Sequence, residues 1–181
     1  GLGDVYKRQL PYFIAIAENK DITLSPRLFA DDKFLIQSEL RQKNKNSNHE
    51  TDLSHYISSG ENSKNHFFYN FNKDYNNDDL GEIELNIKLE QVSDETYLKA
   101  YKIESPIIKN TSNLRNSLGL NLYDEDVSLT ANLDVYEDLS KLDSDKYEYV
   151  PNFSFSKVLN ENKIFSSKGY YKNYNTCLLY T

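Results

Sequence analysis

The chain has 181 residues and a formal charge of −7, with 38% hydrophobic and 27% charged residues, one Cys, no Met and no Trp. Its longest apolar run, Phe13 to Ala17 beside Pro11 and Tyr12, falls far short of the roughly 20 residues that a membrane-spanning helix needs. The acidic balance argues against nucleic acid, which asks for a basic stripe. Fifteen Tyr and nine Phe are too many for a chain that never packs, while a mean hydropathy of −0.73 is too polar for an ordinary core. Alternation reconciles the two, because a strand sends successive side chains to opposite faces.

The ends come first. The chain starts without Met and shows no basic, apolar and small-residue signal pattern. Residues 1–9 (GLGDVYKRQ) and 177–181 (CLLYT) resemble translated sequencing-adapter ends and are expected to be non-native. Residues 10–176 are then expected to form one unit of a truncated product. Cys177 lies in the excluded tail, so cysteine says nothing about redox compartment or metal binding.

Period-two patterns start at Asp21–Phe29, with Ile22, Leu24, Pro26 and Leu28 on one face, and continue through Phe34–Leu40, Thr51–Ile57 and Phe67–Phe71. The polar runs Lys43–Glu50 and Ser58–Asn65 between them read as loops. From Glu82 to Glu90 the alternation is complete, with Ile83, Leu85, Ile87 and Leu89 opposite Glu82, Glu84, Asn86, Lys88 and Glu90. Ser93–Asn113, containing Pro106, is long for a structureless connection and is expected to fold locally or serve a function. Leu114–Leu122, a second complete alternation at Val127–Val135, and Tyr147–Phe155 follow. The pattern predicts about nine or ten strands and one all-β unit. Connection lengths read this way do not alternate cleanly between short and long, so strand direction stays open.

Such a sheet is either a soluble sandwich or a membrane barrel. Several runs reach the ~9–11 residues that span a bilayer with tilt, whereas ordinary strands centre on about five or six. Tyr75, Tyr123, Tyr136 and Tyr147 sit beside polar turns, where they serve either as bilayer-interface anchors or simply as good strand formers. The fold expected is an antiparallel transmembrane β-barrel fragment. Open edges in lipid leave backbone groups unpaired at several kcal/mol each, so the fragment should belong to a larger barrel.

Catalytic and metal signals are weak. His49, His55 and His66 lie in or beside predicted loops without ligand-like spacing, and the acidic turns at Asp31-Asp32, Asn76–Asp79 and Asp124–Asp126 lack the calcium-loop pattern. Neither a Gly-rich phosphate loop nor a Gly-x-Ser-x-Gly frame occurs. No enzyme activity, metal or cofactor is expected.

The segment Leu10–Phe29, LPYFIAIAENKDITLSPRLF, resembles the opening of the barrel in the lipopolysaccharide-assembly family LptD (the OstA/Imp organic solvent tolerance family). Leu10-Pro11-Tyr12-Phe13, Ile16-Ala17, Asn19, Asp21 and Ser25-Pro26-Arg27 keep that family's order and spacing, and Ser93, Asp94 and Tyr97 match its Ser-Asp-x-x-Tyr pattern. Glu18 stands where many members carry Pro, and the usual tryptophans are missing. The likeness covers about Leu10 to the Val158 region. It implies an outer-membrane protein of Gram-negative cells, without bond chemistry, that passes lipopolysaccharide sugars through a polar lumen and releases lipid A between the first and last strands. It also implies a lipoprotein plug, LptE, and a periplasmic bridge, LptA, as partners. Pro11 and Pro26 are the candidate site residues: proline gives no amide to the ladder, so both weaken pairing at the lateral gate, unless they merely mark a strand start and a bulge. A generic outer-membrane porin or receptor barrel and a soluble β-sandwich binding module are the alternatives.

Overall fold

The computed structural model describes residues 8–29, 33–58, 60, 62–78, 81–141, 143–157 and 176–177. Its strands are β1 (Arg8–Gln9), β2 (Tyr12–Ala17), β3 (Lys20–Leu28), β4 (Phe34–Asn44), β5 (Ser47–Ile57), β6 (Lys64–Asn77), β7 (Gly81–Val92), β8 (Asn113–Tyr123), β9 (Val127–Asp138), β10 (Tyr147–Lys157) and β11 (Thr176–Cys177). All join one sheet, every pair antiparallel and nearly every neighbour next in sequence, and among the described residues the sheet does not close on itself. This is the all-β, meandering wall that the alternation predicts. Of the ends expected to be non-native, 1–7 and 178–181 lie outside the described residues, while Arg8–Gln9 pairs with β3 and Thr176–Cys177 with β10.

The register sorts the side chains into two very different faces. One carries Ile22, Leu40, Leu53, Phe67, Leu89, Leu118, Leu133, Tyr149 and Phe153, aligned from strand to strand. It is the exposed face: Leu118 is 52% and Phe153 47% accessible. The other carries Thr23, Gln37, Asp52, Ser54, His66, Asn70, Glu90, Asn121, Thr130 and Asn152, and several of these are buried, with Asp52 at 0% and Gln37, His66 and Glu90 at 2%. A soluble sandwich hides its apolar face and wets its polar one. This sheet does the reverse, as a barrel wall does. From β4 to β10 the strands run 11 to 14 residues, at or beyond the span of a tilted membrane strand.

Three sequence expectations change. Lys43–Glu50, read as a loop, is mostly strand: only residues 45–46 turn between β4 and β5. Beyond the apolar band both faces become polar, with Gln42 opposite His49, so the period-two signal vanishes while the ladder continues. With that corrected, connection lengths do alternate. The intervals between strands are short at 18–19, 45–46, 78–80 and 124–126, at one end of the sheet, and longer at 29–33, 58–63, 93–112 and 139–146, at the other. The tyrosines also divide. Tyr75 and Tyr147 lie on the apolar face, whereas Tyr123 and Tyr136 lie on the polar one, with Arg115 5.8 Å over the Tyr136 ring.

The buried apolar cluster sits on the polar side, at the long-connection end. Residues 93–112 fold back over the sheet through a short helix, α1 (Tyr97–Ala100), and bring Tyr97, Leu98, Ile103 and Ile107 onto Leu35, Tyr56 and Phe68 of β4, β5 and β6. The expectation that this segment folds locally holds. Four large side chains of the connection become buried, each worth about 1.5–3 kcal/mol relative to exposure.

Candidate functional site

The edge holding the two prolines is irregular. Tyr12 pairs with Leu24 and Gln9 with Arg27, so β1 and β2 share one register along β3 and are a single strand interrupted at Leu10-Pro11. Continuing that register sets Leu10 opposite Pro26 and Pro11 opposite Ser25. Two residues without an amide hydrogen therefore meet where the ladder breaks. On its other side β3 is unbroken, with Pro26 opposite Ile36 of β4. The ladder's one register shift lies elsewhere, between Ala15 and Ala17.

Directly after Pro26, Arg27 begins a buried polar chain that sequence reasoning did not foresee. Its guanidinium donates to the carbonyls of Tyr101 (2.9 Å) and Lys102 (3.2 Å), and to Gln37 Oε1 (3.1 Å). Gln37 Nε2 then donates to both carboxylate oxygens of Asp52 (3.1 and 3.0 Å) and to the Glu104 carbonyl (2.8 Å). Asp52 Oδ1 lies 3.2 Å from His66 Nε2, and His66 Nδ1 lies 2.6 Å from Ser54 Oγ, which meets the Tyr97 hydroxyl at 2.7 Å. The order Tyr97 O–H to Ser54 and Ser54 O–H to Nδ1 leaves Nε2–H facing Asp52 at a geometry that falls short of a hydrogen bond. Burial pushes the Tyr97 hydroxyl up to about 12, so it keeps its proton for Ser54.

Ser, His and Asp meet here as in a hydrolase, but the site offers no chemistry of that kind. Ser54 is 2% exposed and its oxygen is already capped by Tyr97. The cluster holds structure: four strands contribute polar side chains, of which Arg27, Gln37 and Ser54 bond directly to the connection 93–112 while Asp52 and His66 link them.

That connection is secured at its start as well. Ser93 donates its amide to the Asn65 carbonyl (2.9 Å) and accepts the Asn65 amide on its hydroxyl (2.8 Å). Asp94 Oδ1 accepts from the amide and hydroxyl of Thr96 (2.9 and 2.6 Å), and the other oxygen meets Lys64 at 3.2 Å. The Thr96 hydroxyl bond holds the Asp94 carboxyl below its ordinary value, with Lys64 adding to it. Ser93, Asp94 and Tyr97, noted in the sequence as a pattern, are thus the three anchors of the folded-back segment.

Where the connection rejoins the sheet, β7 and β8 part, and two side chains fill the ladder. Asn116 accepts the Glu90 amide (2.8 Å) and donates to the Glu90 carbonyl (3.2 Å), while the Glu90 carboxylate takes the Arg115 amide (2.6 Å) and Lys88 Nζ (2.6 Å). Beside them lies a recess of about 490 Å³, lined by Lys88, Lys109, Arg115, Lys146, Glu90 and Glu148 among others. Its charges are largely matched: Arg115 pairs with Asp134 at 2.9 Å, and Lys146 reaches Glu137 (2.7 Å) and Glu95 (3.1 Å), which raises its basicity.

His49, His55 and His66 stand in strands, not in loops. His49 and His55 share the apolar face, with His49 4.6 Å from the Phe71 ring, and His66 is buried on the polar face. The sheet separates them. Among the described residues no group of three His, Cys, Asp or Glu side chains is placed to hold a metal. Asp31-Asp32 lies outside the described residues.

A strand meander with an apolar outer face and a polar, internally braced inner one now has a family attached to it. The model for LPS transport system D, LptD, matches residues 62–174, well over half of the chain. The chain belongs to the LptD family. Membership places it in lipopolysaccharide transport. The matched stretch begins just before β6 and includes Ser93, Asp94 and Tyr97, whereas Pro11 and Pro26 precede it and rest on motif and geometry alone. No curated protein matches the chain.

Proposed function

We propose that this chain forms the first part of an outer-membrane barrel in a Gram-negative cell, through which lipopolysaccharide reaches the outer leaflet. The observation that carries the reading is the reversed sheet: apolar side chains stand exposed on one face while the opposite face is lined with Asn, Ser, Thr, Asp and Glu. A wall of that kind puts hydrocarbon against lipid and offers hydrogen-bond partners to sugar hydroxyls inside. LptD-family membership supplies the cargo. The remaining strands, the LptE plug and the LptA bridge belong to the same proposal and rest on family resemblance.

Pro11 and Pro26 are the proposed gate residues. The converging gap between the first strand and β3 supports that role, since a seam that must part repeatedly gains from fewer ladder bonds. Replacing both with Ala in the full-length protein is expected to strengthen pairing there and slow delivery of newly made lipopolysaccharide to the cell surface. Unchanged delivery together with an intact permeability barrier would discard the gate assignment.

A further inference from the structure

We propose that the connection 93–112 is an internal latch for the proline-bearing edge, and that Arg27 is the positioning residue coupling the two. This goes beyond the transport reading and rests on it only for what the seam passes.

Arg27 follows Pro26 directly, so whatever holds its guanidinium also holds the end of β3 where the outer pairing is interrupted. The guanidinium is held by backbone carbonyls of the connection, Tyr101 and Lys102, at the point where α1 ends. That end is a left-handed turn. Lys102 has φ +48° and is the one non-glycine residue with positive φ among the described residues, and Ile103 closes the turn by donating to Leu98 O at 2.9 Å. A lysine pays a steric cost in this conformation that glycine escapes, and the turn presents two successive carbonyls to one arginine. Gln37 takes the Glu104 carbonyl, two residues beyond Lys102, and Ser54 takes the Tyr97 hydroxyl. Strands β3, β4 and β5 therefore each put one side chain on the same short stretch of chain.

The edge strand is thus held unequally from its sides. Toward β4 there is a full ladder of nine residue pairs, and toward β1 and β2 a broken one. From the polar face, Arg27 ties β3 to a segment whose own anchors sit on β5 and β6, two and three strands away from β3. Because the arginine reaches backbone atoms, the latch depends on the segment's fold and not on the side chains of residues 101–104. Freeing the segment leaves a buried guanidinium short of two acceptors, which loosens β3 and with it the proline gap.

The test is residue-resolved hydrogen exchange on the full-length protein in detergent micelles, without lipopolysaccharide, comparing wild type with Tyr97→Phe and Arg27→Lys. Tyr97→Phe removes a single oxygen and keeps the ring, so it tests the latch with the fold intact even where the arginine change disturbs it. Both variants are expected to speed exchange of Ile22–Leu24 and Tyr12–Ile14 about tenfold, equivalent to about 1.4 kcal/mol, with β9 and β10 unaffected. Pro26→Ala is expected to slow the same amides and leave Ile103 unchanged. Faster exchange of Tyr101 and Ile103 with no change at β2 and β3 would overturn the latch, as would a uniform rise over all strands. Since no cargo is present, either failure leaves the transport proposal to its own export assay.

Discussion

Leu133 is the sharpest probe of which face meets lipid. It lies at the middle of β9, 44% exposed, between Leu118 of β8 and Pro151 of β10 on the apolar face. An arginine on the lipid side of a barrel near the bilayer midplane costs about 2–4 kcal/mol, a loss of about 30-fold to about 700-fold in the folded-to-unfolded ratio. Three residues earlier, Thr130 sits on the opposite face between Asn121 and Ser154. Arginine there faces polar neighbours and is expected to change stability by no more than about 0.5 kcal/mol. Urea titration of the full-length protein in lipid vesicles, followed by far-ultraviolet circular dichroism, measures both. Equal costs, or a larger cost at Thr130, would refute the face assignment, because a soluble sheet with that register has no reason to penalise Leu133→Arg in vesicles alone.

Gly81 opens β7 at φ +76°, and a Cβ there would run into the Tyr123 carbonyl, so Gly81→Ala is expected to cost at least about 1–2 kcal/mol in the same titration. Asn116→Ala strips both partners from the Glu90 backbone, which predicts a loss of about 1–3 kcal/mol and fast exchange of the Glu90 amide, whereas Asn116→Asp keeps the acceptor and rescues only the amide bond. The Asp94 carboxyl is held below its ordinary 3.8 in the folded protein, so its contribution is complete above that value and fades as pH falls through the lower folded one. Exchange at Thr96 and Tyr97 is therefore expected to accelerate only below about pH 4, and Asp94→Asn should abolish that pH dependence.

The strand positions were legible because one face of the sheet is apolar throughout, and Glu82–Glu90 and Val127–Val135 announce it without interruption. Legibility ends where the apolar band ends. At Gln42, Asn44, Ser47 and His49 neither face needs hydrocarbon, and a continuous hairpin reads as a loop. The polar chain from Arg27 to Tyr97 was invisible for another reason. Its members come from five separate stretches, and only the register brings Arg27, Gln37, Asp52, Ser54 and His66 to one level on one face. Ser93, Asp94 and Tyr97 form a pattern in the sequence, and the structure supplies its cause in the anchoring of the folded-back connection.

Photo-crosslinking in living cells tests the transport reading most directly. A benzophenone side chain placed at Thr130 or Ser117 on the polar face, and at Leu120 on the apolar face, reports which surface newly made lipopolysaccharide touches. Resident lipopolysaccharide meets the apolar face in any outer-membrane barrel, so the polar positions decide. Adducts at Thr130 and Ser117 that appear during a pulse of synthesis and decay as export completes are the expected result. Export that proceeds with no adduct at either polar position would contradict passage along this wall.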